Sequence, residues 1–333
     1  MTALTFEQIK KIVRGAALVE EGDGKISFFR FTKEQQELYK VTCKDFYMKS
    51  FATAGISLEF NTDSNSMRLA VSVSRGSSRT YFTHSVLVDG KPFDELSGDI
   101  GEGENVPFKK TFRLPEGVKR VRIQFPWSVA SSLVSLELDN GAMAVPVLKK
   151  RKILMFGDSI TQGYDASRPE LAYAVRLADF LSADAINKGI AGEQFFGRLA
   201  TLKDDFTPDL ITVAYGTNDW RHGTKERLLR ECTAFFKNLR ESYPGTKIIA
   251  LTPLWRVDID NEQVIGEPLS FVTKFIKQTV RETENAVFID CINLIPHRPK
   301  HYQTDGVHPI DSGFENYANN LCAHKHILKI LGE

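Results

Sequence analysis

Beyond residue 150 the chain alternates between short apolar segments and longer segments of helical periodicity, and this alternation restricts the fold more than any other feature. The apolar, strand-like segments lie at 153–156, 184–187, 210–215, 247–251 and 286–290. Helical patterns occupy about 169–182, 224–242, 267–283 and 312–330. Strands that alternate with helices form parallel sheets with helices on both faces. The sequence therefore predicts a three-layer α/β/α domain with a parallel sheet.

The preceding part of the chain has a different pattern. A capping-box sequence, Thr5-Phe6-Glu7-Gln8, begins a short amphipathic helix predicted over 5–14. Turn signals such as Asp89-Gly90 and Asn140-Gly141 then separate short segments in which apolar and polar residues alternate, a pattern typical of an all-β sandwich or jelly roll. These strand-like segments lie at 25–31, 56–60, 67–73, 118–125 and 133–138.

The two patterns meet at a basic cluster, Lys149-Lys150-Arg151-Lys152. A chain of 333 residues is long enough for two domains. We therefore predict an N-terminal domain over 1–148, made of the short helix and a jelly-roll-like β-sandwich, and an α/β domain over 149–333.

Composition limits the partners of the chain. Lys and Arg number 43 against 42 Asp and Glu, so no net field favours nucleic acid or anionic lipid, and a small neutral ligand is expected. The four cysteines are scattered without a zinc-binding or disulfide pattern, which predicts reduced thiols. With neither a signal-peptide pattern nor an apolar run of about 20 residues, we expect a cytoplasmic protein without membrane association. The oligomeric state is not determined by the sequence.

Polar, glycine-rich blocks follow four of the predicted strands. Because ligands bind beyond the carboxyl ends of the strands in open α/β sheets, these blocks should converge on one edge of the sheet. The blocks are Gly157-Asp158-Ser159-Ile160-Thr161-Gln162-Gly163, Asn187-Lys188-Gly189-Ile190-Ala191-Gly192, Gly216-Thr217-Asn218-Asp219 and Asp305-Gly306-Val307-His308-Pro309.

In order and spacing these blocks resemble the four signature blocks of the SGNH (GDSL-like) hydrolase superfamily, and the resemblance covers residues 150–330. It implies a carboxylic ester hydrolase with Ser159 as nucleophile and with Asp305 and His308 completing a catalytic triad. It also implies an oxyanion hole to which the backbone amide of Gly192 and the side-chain amide of Asn218 contribute.

The chemistry of the residues supports these roles. A serine hydroxyl becomes a good nucleophile when a base such as His308 accepts its proton. Asp305 lies three positions earlier, and Gly306 allows the tight turn that brings its carboxylate to the imidazole. Backbone N–H groups of Ser159 and Gly192 and the amide of Asn218 are suitable donors for the negative oxygen of a tetrahedral intermediate.

Structural roles compete with each catalytic one. Ser159 is also a suitable helix N-cap residue, and Asn218 a suitable turn residue. Gly189 competes with Gly192, since either glycine could serve only to bend its loop. The sequence leaves the catalytic role of Asp305 open. In several proteins of comparable architecture a backbone carbonyl, and not a carboxylate, assists the serine–histidine pair.

Aromatic residues near the blocks suit sugar rings or an apolar acyl group. The candidates for substrate contact are Tyr164, Trp220, Trp255 and Arg256, with His222 as a further histidine near the cleft. A β-sandwich placed before an SGNH domain is similar to carbohydrate esterase family two, whose members remove acetyl groups from plant polysaccharides and oligosaccharides. The resemblance implies a short-acyl, chiefly acetyl, esterase that acts on an acetylated sugar through an acyl-enzyme.

Two other hypotheses about function compete with the acetylesterase hypothesis. The same superfamily contains lipases, lysophospholipases and thioesterases, which differ in the pocket for the acyl chain. A catalytically inactive carbohydrate-binding protein is the alternative from another class, with Tyr81, Phe82 and Trp127 of the first domain as its candidate contacts. The sequence contains no metal-binding or nucleotide-binding motif, so no cofactor is predicted.

Overall fold

A computed structural model of the protein describes residues 1–332. The chain forms two units. The N-terminal unit comprises 1–149 together with 168–170, and the C-terminal unit comprises the other described residues. Among the described residues, no helix is both long enough and apolar enough to cross a membrane.

The N-terminal unit contains two antiparallel six-stranded sheets. The first has the order β3-β4-β11-β6-β9 with β1 beside β11, and the second has the order β12-β5-β10-β7-β8 with β2 beside β5. Their strands are β1 (Thr2–Ala3), β2 (Val13–Arg14), β3 (Leu18–Gly22), β4 (Lys25–Phe29), β5 (Ser57–Thr62), β6 (Ser66–Arg75), β7 (Tyr81–Val88), β8 (Lys91–Asp99), β9 (Val106–Arg113), β10 (Lys119–Gln124), β11 (Val129–Leu138) and β12 (Val145–Pro146).

Alternation of buried and less buried residues along strands such as β6 and β10 contributes to the core of the N-terminal unit. In β6 every second residue from Met67 to Val73 is buried, and in β10 Val121 and Ile123 are buried. Both sheets contribute side chains to one apolar cluster. The predicted β-sandwich is therefore confirmed, since a period of two places one face of each sheet in the interior.

Helices of the N-terminal unit agree only partly with the prediction. Helix α1 (Phe6–Ile12) begins with the predicted capping box. Helices α2 (Lys33–Thr42) and α3 (Lys44–Lys49) lie within a region predicted to contain only strands. The signal for α2 is present in the sequence, because Thr32 and Gln35 form a second capping box ahead of a run of good helix formers.

The C-terminal unit contains a five-stranded parallel sheet, which confirms the predicted α/β fold. The strand order is β14-β13-β15-β16-β17. The second strand, β14, therefore lies on one side of β13, and the later strands follow one another on its other side. The strands are β13 (Arg151–Gly157), β14 (Ala183–Gly189), β15 (Leu210–Ala214), β16 (Lys247–Leu251) and β17 (Ala286–Ile289).

Helices follow the strands of this sheet. They are α4 (Ser159–Gln162), α5 (Tyr173–Phe180), α6 (Thr217–His222), α7 (Lys225–Ser242), α8 (Leu269–Arg281), α9 (Asp311–Cys322) and α10 (Lys325–Gly332). Helix α5 contacts α9, and α7 contacts α8. Because crossovers between parallel strands are nearly always right-handed, the strand order predicts that these two pairs lie on opposite faces of the sheet.

The predicted helix over 312–330 is two helices, α9 and α10. The break falls at His324, whose Nδ1 accepts a hydrogen bond from the backbone N–H of His326 at 3.3 Å. A side chain that bonds the N–H two residues later is the arrangement of a helix start, so a new helix begins there.

Candidate active site

A sharp turn at the end of β13 presents Ser159. The Asp158 carboxylate accepts the backbone N–H of Ile160 at 3.0 Å and so caps α4, in which Ser159 is the first residue. The end of β14 passes close to this helix: a Cβ on Gly189 would lie 2.4 Å from the backbone nitrogen of Gln162. Glycine is therefore required at 189 for the close packing of strand and helix, whatever else its loop does.

A continuous chain of hydrogen bonds joins the predicted triad. His308 Nε2 lies 2.8 Å from Ser159 Oγ, and His308 Nδ1 lies 2.5 Å from Asp305 Oδ2. The other carboxylate oxygen of Asp305 accepts the backbone N–H groups of Val307 and His308. Burial would raise the pKa of Asp305, but the bonds from His308 and from these N–H groups hold it well below its ordinary value. Asp305 is thus a carboxylate over the whole physiological range.

The loop that carries His308 is held on three sides. The backbone N–H of Gln303 donates to the carbonyl of His308 at 2.7 Å, which closes the loop on itself. The backbone N–H of Val257 donates to the carbonyl of Gly306 at 2.9 Å, which fixes the loop to the segment after β16. The ring of Tyr164 packs against the imidazole with 5.0 Å between ring centroids. The imidazole is therefore oriented before any substrate binds.

Asp165 is a neighbour of the triad that the sequence did not reveal. Its carboxylate lies within 4.8 Å of ligating atoms of both Asp305 and His308. Asp165 has a positive φ of 64°, a backbone conformation that aspartate tolerates better than most residues. Neither its spacing nor its position in a block distinguishes it from an ordinary turn residue.

The two predicted oxyanion donors from other loops lie close together. Gly192 is exposed with φ of 89°. The side chain of Asn218 donates one N–H to the carbonyl of the next residue, Glu193, at 3.0 Å. A primary amide has two N–H groups, so this bond orients the second for another acceptor. On the other side the loop is tied to α4, because Ala191 donates its backbone N–H to the side chain of Gln162 at 2.8 Å.

Two of the predicted substrate contacts are wrong for this structure. Trp220 is fully buried, and its indole N–H donates to the carbonyl of Glu267 at 2.8 Å. Arg256 is 1% exposed and forms a two-bond pair with Asp258 at 2.7 and 2.9 Å. Its guanidinium also lies over the Trp220 ring, 5.0 Å from the centroid. Both side chains are therefore part of the interior and are not presented to a ligand.

The other aromatic candidates occupy different settings. Tyr164 is buried against His308, as described above, and His222 is exposed at the end of α6. Trp255 is half-buried and stacks on His297, with 5.1 Å between centroids and 11° between planes. Trp255 is therefore the predicted aromatic that keeps part of its surface available for a ligand.

Candidate contacts of the N-terminal unit are mostly part of its interior. Phe82 and Trp127 are buried, as residues that pack in the core are, whereas Tyr81 is 43% exposed. The Tyr81 ring meets Trp127 edge to face at 6.0 Å. A flat platform of several exposed rings, which a sugar-binding sheet would need, is not formed by these three side chains.

Two buried carboxyl groups flank the catalytic positions in sequence. Burial raises the pKa of Asp158 to about 6, against the opposing effect of the Ile160 N–H and the charges of His308 and Arg256. Burial also raises the pKa of Asp219 to about 7, against the opposing charge of Arg227. Carboxyl groups with raised pKa values are concentrated at functional sites more than elsewhere.

Comparisons with known proteins agree with the fold of the protein. Residues 155–315 match the model of the GDSL-like lipase/acylhydrolase family. A salicylyl-acyltransferase, SsfX3, of a tetracycline biosynthetic pathway has 21% identity and a TM-score of 0.83, with 96% of this chain and 95% of that chain covered. A GDSL-like lipase of Bacteroides ovatus has 21% identity and a TM-score of 0.78, with 99% and 98% covered. No curated protein matches this chain.

A family two carbohydrate esterase of Clostridium thermocellum also shares the fold. It has 17% identity and a TM-score of 0.65, with 84% of this chain and 94% of that chain covered. The predicted two-domain architecture is confirmed by structures that align along nearly their whole length. Within the C-terminal unit, residues 155–315 form a domain similar to the GDSL-like lipase/acylhydrolase family, and the protein is a carboxylic ester hydrolase.

Proposed function

We propose that the protein is a serine esterase that removes short acyl groups, chiefly acetyl, from an esterified carbohydrate or oligosaccharide. One observation carries the proposal: Ser159, His308 and Asp305 form an unbroken chain of hydrogen bonds beside the Gly192 and Asn218 donors. This arrangement suits attack on an ester carbonyl followed by formation of an acyl-enzyme.

In the first half of the reaction, Ser159 Oγ attacks the ester carbonyl while His308 Nε2 accepts its proton. The carbonyl oxygen becomes an oxyanion, and the N–H groups of Ser159, Gly192 and Asn218 donate to it. The C–O bond to the sugar then breaks, and His308 returns the proton to the departing alcohol. Asp305 holds the imidazole in the required tautomer and stabilises it while it is positively charged.

In the second half, His308 removes a proton from water, whose oxygen attacks the acyl-enzyme carbonyl. Collapse of the second tetrahedral intermediate releases the carboxylic acid and returns the proton to Ser159. The protein's own residues carry out each of these steps, and the proposal uses no cofactor.

Acetylated sugar is the substrate that the comparisons favour. Among structures of the same fold are an acetyl xylan esterase of Butyrivibrio proteoclasticus and the Clostridium thermocellum esterase in complex with cellohexaose. All four cysteines are unpaired, which is consistent with a reducing, cytoplasmic environment. A small acetylated oligosaccharide taken up by the cell therefore suits the protein better than intact cell wall.

Acid release from a panel of esters tests this proposal. The panel contains acetylated xylo- and manno-oligosaccharides, long-chain acyl esters and an acyl thioester. We expect Ser159→Ala to lower hydrolysis of the acetyl esters at least about 10⁴-fold with its melting temperature unchanged. Near-full activity of Ser159→Ala would disprove the serine mechanism, and preference for acyl chains longer than butyryl would favour a lipase or thioesterase.

Acyl transfer to an alcohol is the second candidate function. It is favoured by the similarity to the salicylyl-acyltransferase, which shares this two-unit fold along almost its whole chain. The same acyl-enzyme serves both reactions, since only the nucleophile of the second half differs. Product analysis with an added sugar acceptor separates the two functions: a hydrolase yields free acid at every acceptor concentration, whereas a transferase yields chiefly the new ester.

A further inference from the structure

The backbone of Phe195, in the loop that carries Gly192, is held at two points by the ion pair of buried Asp219 and partly exposed Arg227. Asp219 is fully buried, and its two oxygens accept the N–H of Phe195 at 3.2 and 3.3 Å. Arg227, from the first turn of α7, donates one guanidinium N–H to Asp219 at 3.2 Å and another to the carbonyl of Phe195 at 3.0 Å. Asp219 and Arg227 thus bracket a single residue of the loop through both of its backbone polar groups.

The segment that carries Asn218 is anchored from another direction. Arg256 Nη1 donates to the side-chain oxygen of Thr217 at 2.7 Å and to its carbonyl at 3.3 Å. Asp258 holds the same guanidinium by its remaining N–H groups. The first turn of α6 is therefore fixed independently of the Gly192 loop, and loss of the Asp219–Arg227 bracket would release the loop without releasing Asn218.

The bracket joins the two segments that carry the oxyanion donors. Asn218 is the neighbour of Asp219, and Gly192 is three residues from Phe195. Two neutral bonds also join the loop to α6: Asn218 Nδ2 to the carbonyl of Glu193, and the Gln194 side chain to the carbonyl of Asn218 at 2.9 Å. Outside α6, the Tyr215 hydroxyl donates to the Glu193 carboxylate at 2.8 Å, and the Glu231 carboxylate accepts the N–H of Gly197 at 3.0 Å. Bonds to charged groups are roughly twice as strong as neutral ones, so the bonds of Asp219 are the strongest of those that join the loop to α6.

We propose that Asp219 and Arg227 are positioning residues that set the distance between the Gly192 N–H and the Asn218 amide, and so stabilise the tetrahedral oxyanion without touching substrate. This proposal rests on the proposed function of Ser159, Gly192 and Asn218. Donors displaced by a fraction of an ångström still admit the planar ester, but they fit the oxyanion less well. The bracket therefore acts on the chemical step and not on substrate binding.

Three variants and one control test the proposal. Asp219→Asn removes the charge, Arg227→Met removes both guanidinium bonds, and Arg227→Lys keeps the charge but cannot bond both acceptors at once. Lys225→Met is the matched control, because Lys225 lies on the same helix and pairs with Glu267 away from the loop. Each variant is assayed with an acetyl ester for kcat and KM, and with methylboronic acid, which forms a tetrahedral adduct on the serine, for its inhibition constant.

We expect kcat to fall about 10- to 100-fold in Asp219→Asn and Arg227→Met, with KM within about 3-fold of wild type. The inhibition constant of methylboronic acid should rise by a similar factor, whereas a merely structural role would leave it unchanged in the folded fraction. Arg227→Lys should lie between wild type and Arg227→Met, and Lys225→Met should match wild type.

Unchanged kcat and inhibition constant in the folded Arg227 variants, or a change in KM alone, would overturn the positioning role. If Asp219→Asn does not fold, the two Arg227 variants decide, since Arg227 is partly exposed and its loss leaves Asp219 able to take up a proton. Ser159→Ala separates the two proposals: activity in that variant overturns the esterase mechanism itself, whereas an inactive Ser159→Ala beside fully active Arg227 variants overturns the bracket alone.

Discussion

Two buried ionisable groups in each unit of the protein have shifted pKa values, and the direction of the shift is opposite in the two units. In the N-terminal unit His84 is fully buried beside Ser131, and burial lowers its pKa to about 3. Glu59, also buried, is ionised, since Lys149 and Arg120 lower its pKa against the opposing effect of burial. In the C-terminal unit burial raises the pKa of Asp158 to about 6 and of Asp219 to about 7.

These pKa shifts distinguish buried groups that serve packing from buried groups beside the candidate active site. His84 is neutral near pH 7 and Glu59 is paired, so neither group costs the N-terminal unit much at that pH. Ionised Asp158 or Asp219 does cost stability, and both lie at the carboxyl edge of the parallel sheet. Proteins tolerate groups that destabilise the fold where those groups belong to a functional site. Substitutions in the N-terminal unit and in the candidate active site therefore test the comparison.

The largest expected effect is on kcat/KM and comes from Asp305, whose pKa is lowered in the candidate active site. We expect Asp305→Asn to lower kcat/KM about 10³- to 10⁴-fold, because the amide does not hold His308 in the catalytic tautomer. Steady-state kinetics at pH 7.5 measure this effect. Asp165→Asn is the matched control and should lose less than about 10-fold. A loss below 10-fold in Asp305→Asn would instead indicate a serine–histidine pair that works without this carboxylate.

The second effect concerns His84. Its pKa is lower in the folded than in the unfolded chain, so the unfolded chain binds an additional proton below pH 6.5 and stability falls as the pH falls toward 3. Between pH 6.5 and 4 this group alone should remove about 3 kcal/mol from the free energy of unfolding. Urea unfolding at several pH values should show a smaller acid-dependent loss in His84→Gln than in wild type. Parallel curves for the two proteins would contradict the prediction.

The third effect concerns the buried carboxylate of Glu59. Glu59→Gln leaves the Lys149 ammonium buried without its charge partner, 2.7 Å from where the carboxylate stood. We expect a loss of about 3 kcal/mol in the free energy of unfolding, with kcat within 2-fold of wild type. Glu37→Gln is the control, since its pair with Lys40 is exposed and is worth less than about 1 kcal/mol. Equal losses in the two variants would remove the distinction between buried and exposed pairs.

The smallest expected effect is a gain in the free energy of unfolding, obtained by changing Asp158. The folded chain holds a proton on Asp158 between about pH 4 and 6 that the unfolded chain has released, so stability falls as the pH rises through this range and stays lower above it. Asparagine keeps the cap to Ile160 without a charge. Asp158→Asn should therefore be more stable than wild type by about 1–2 kcal/mol at pH 8, and the difference should shrink toward pH 4. Thermal unfolding across this range measures it, and a destabilised variant at pH 8 would contradict it.

Much of the architecture could be predicted from the sequence, because alternation of period two and strand–helix alternation each restrict the fold strongly. The convergence of Ser159, Gly192, Asn218 and His308 could also be predicted, since strand ends of a parallel sheet meet at one edge. Helices α2 and α3 were missed because the strands on both sides of them dominated the interpretation of that region.

The wrong substrate contacts have a geometric cause. Trp220 follows Asn218 by two residues on α6, and two residues correspond to about 200° around a helix, so the two side chains point in nearly opposite directions. Proximity in sequence to a catalytic residue therefore did not predict proximity in space. The bracket of Asp219 and Arg227 could not be predicted either, since it depends on the packing of α7 against a loop from another part of the chain.

The hydrogen bond between Ser159 and His308 joins residues that lie 149 positions apart in the sequence, one after the first parallel strand and the other after the last. During translation, the serine turn leaves the ribosome long before the loop that supplies the base. The hydroxyl of Ser159 consequently remains a weak nucleophile until all five parallel strands have been synthesised and assembled. A nascent chain stalled before β17 is therefore chemically silent toward esters, and hydrolysis by a ribosome-bound chain would report completion of the sheet.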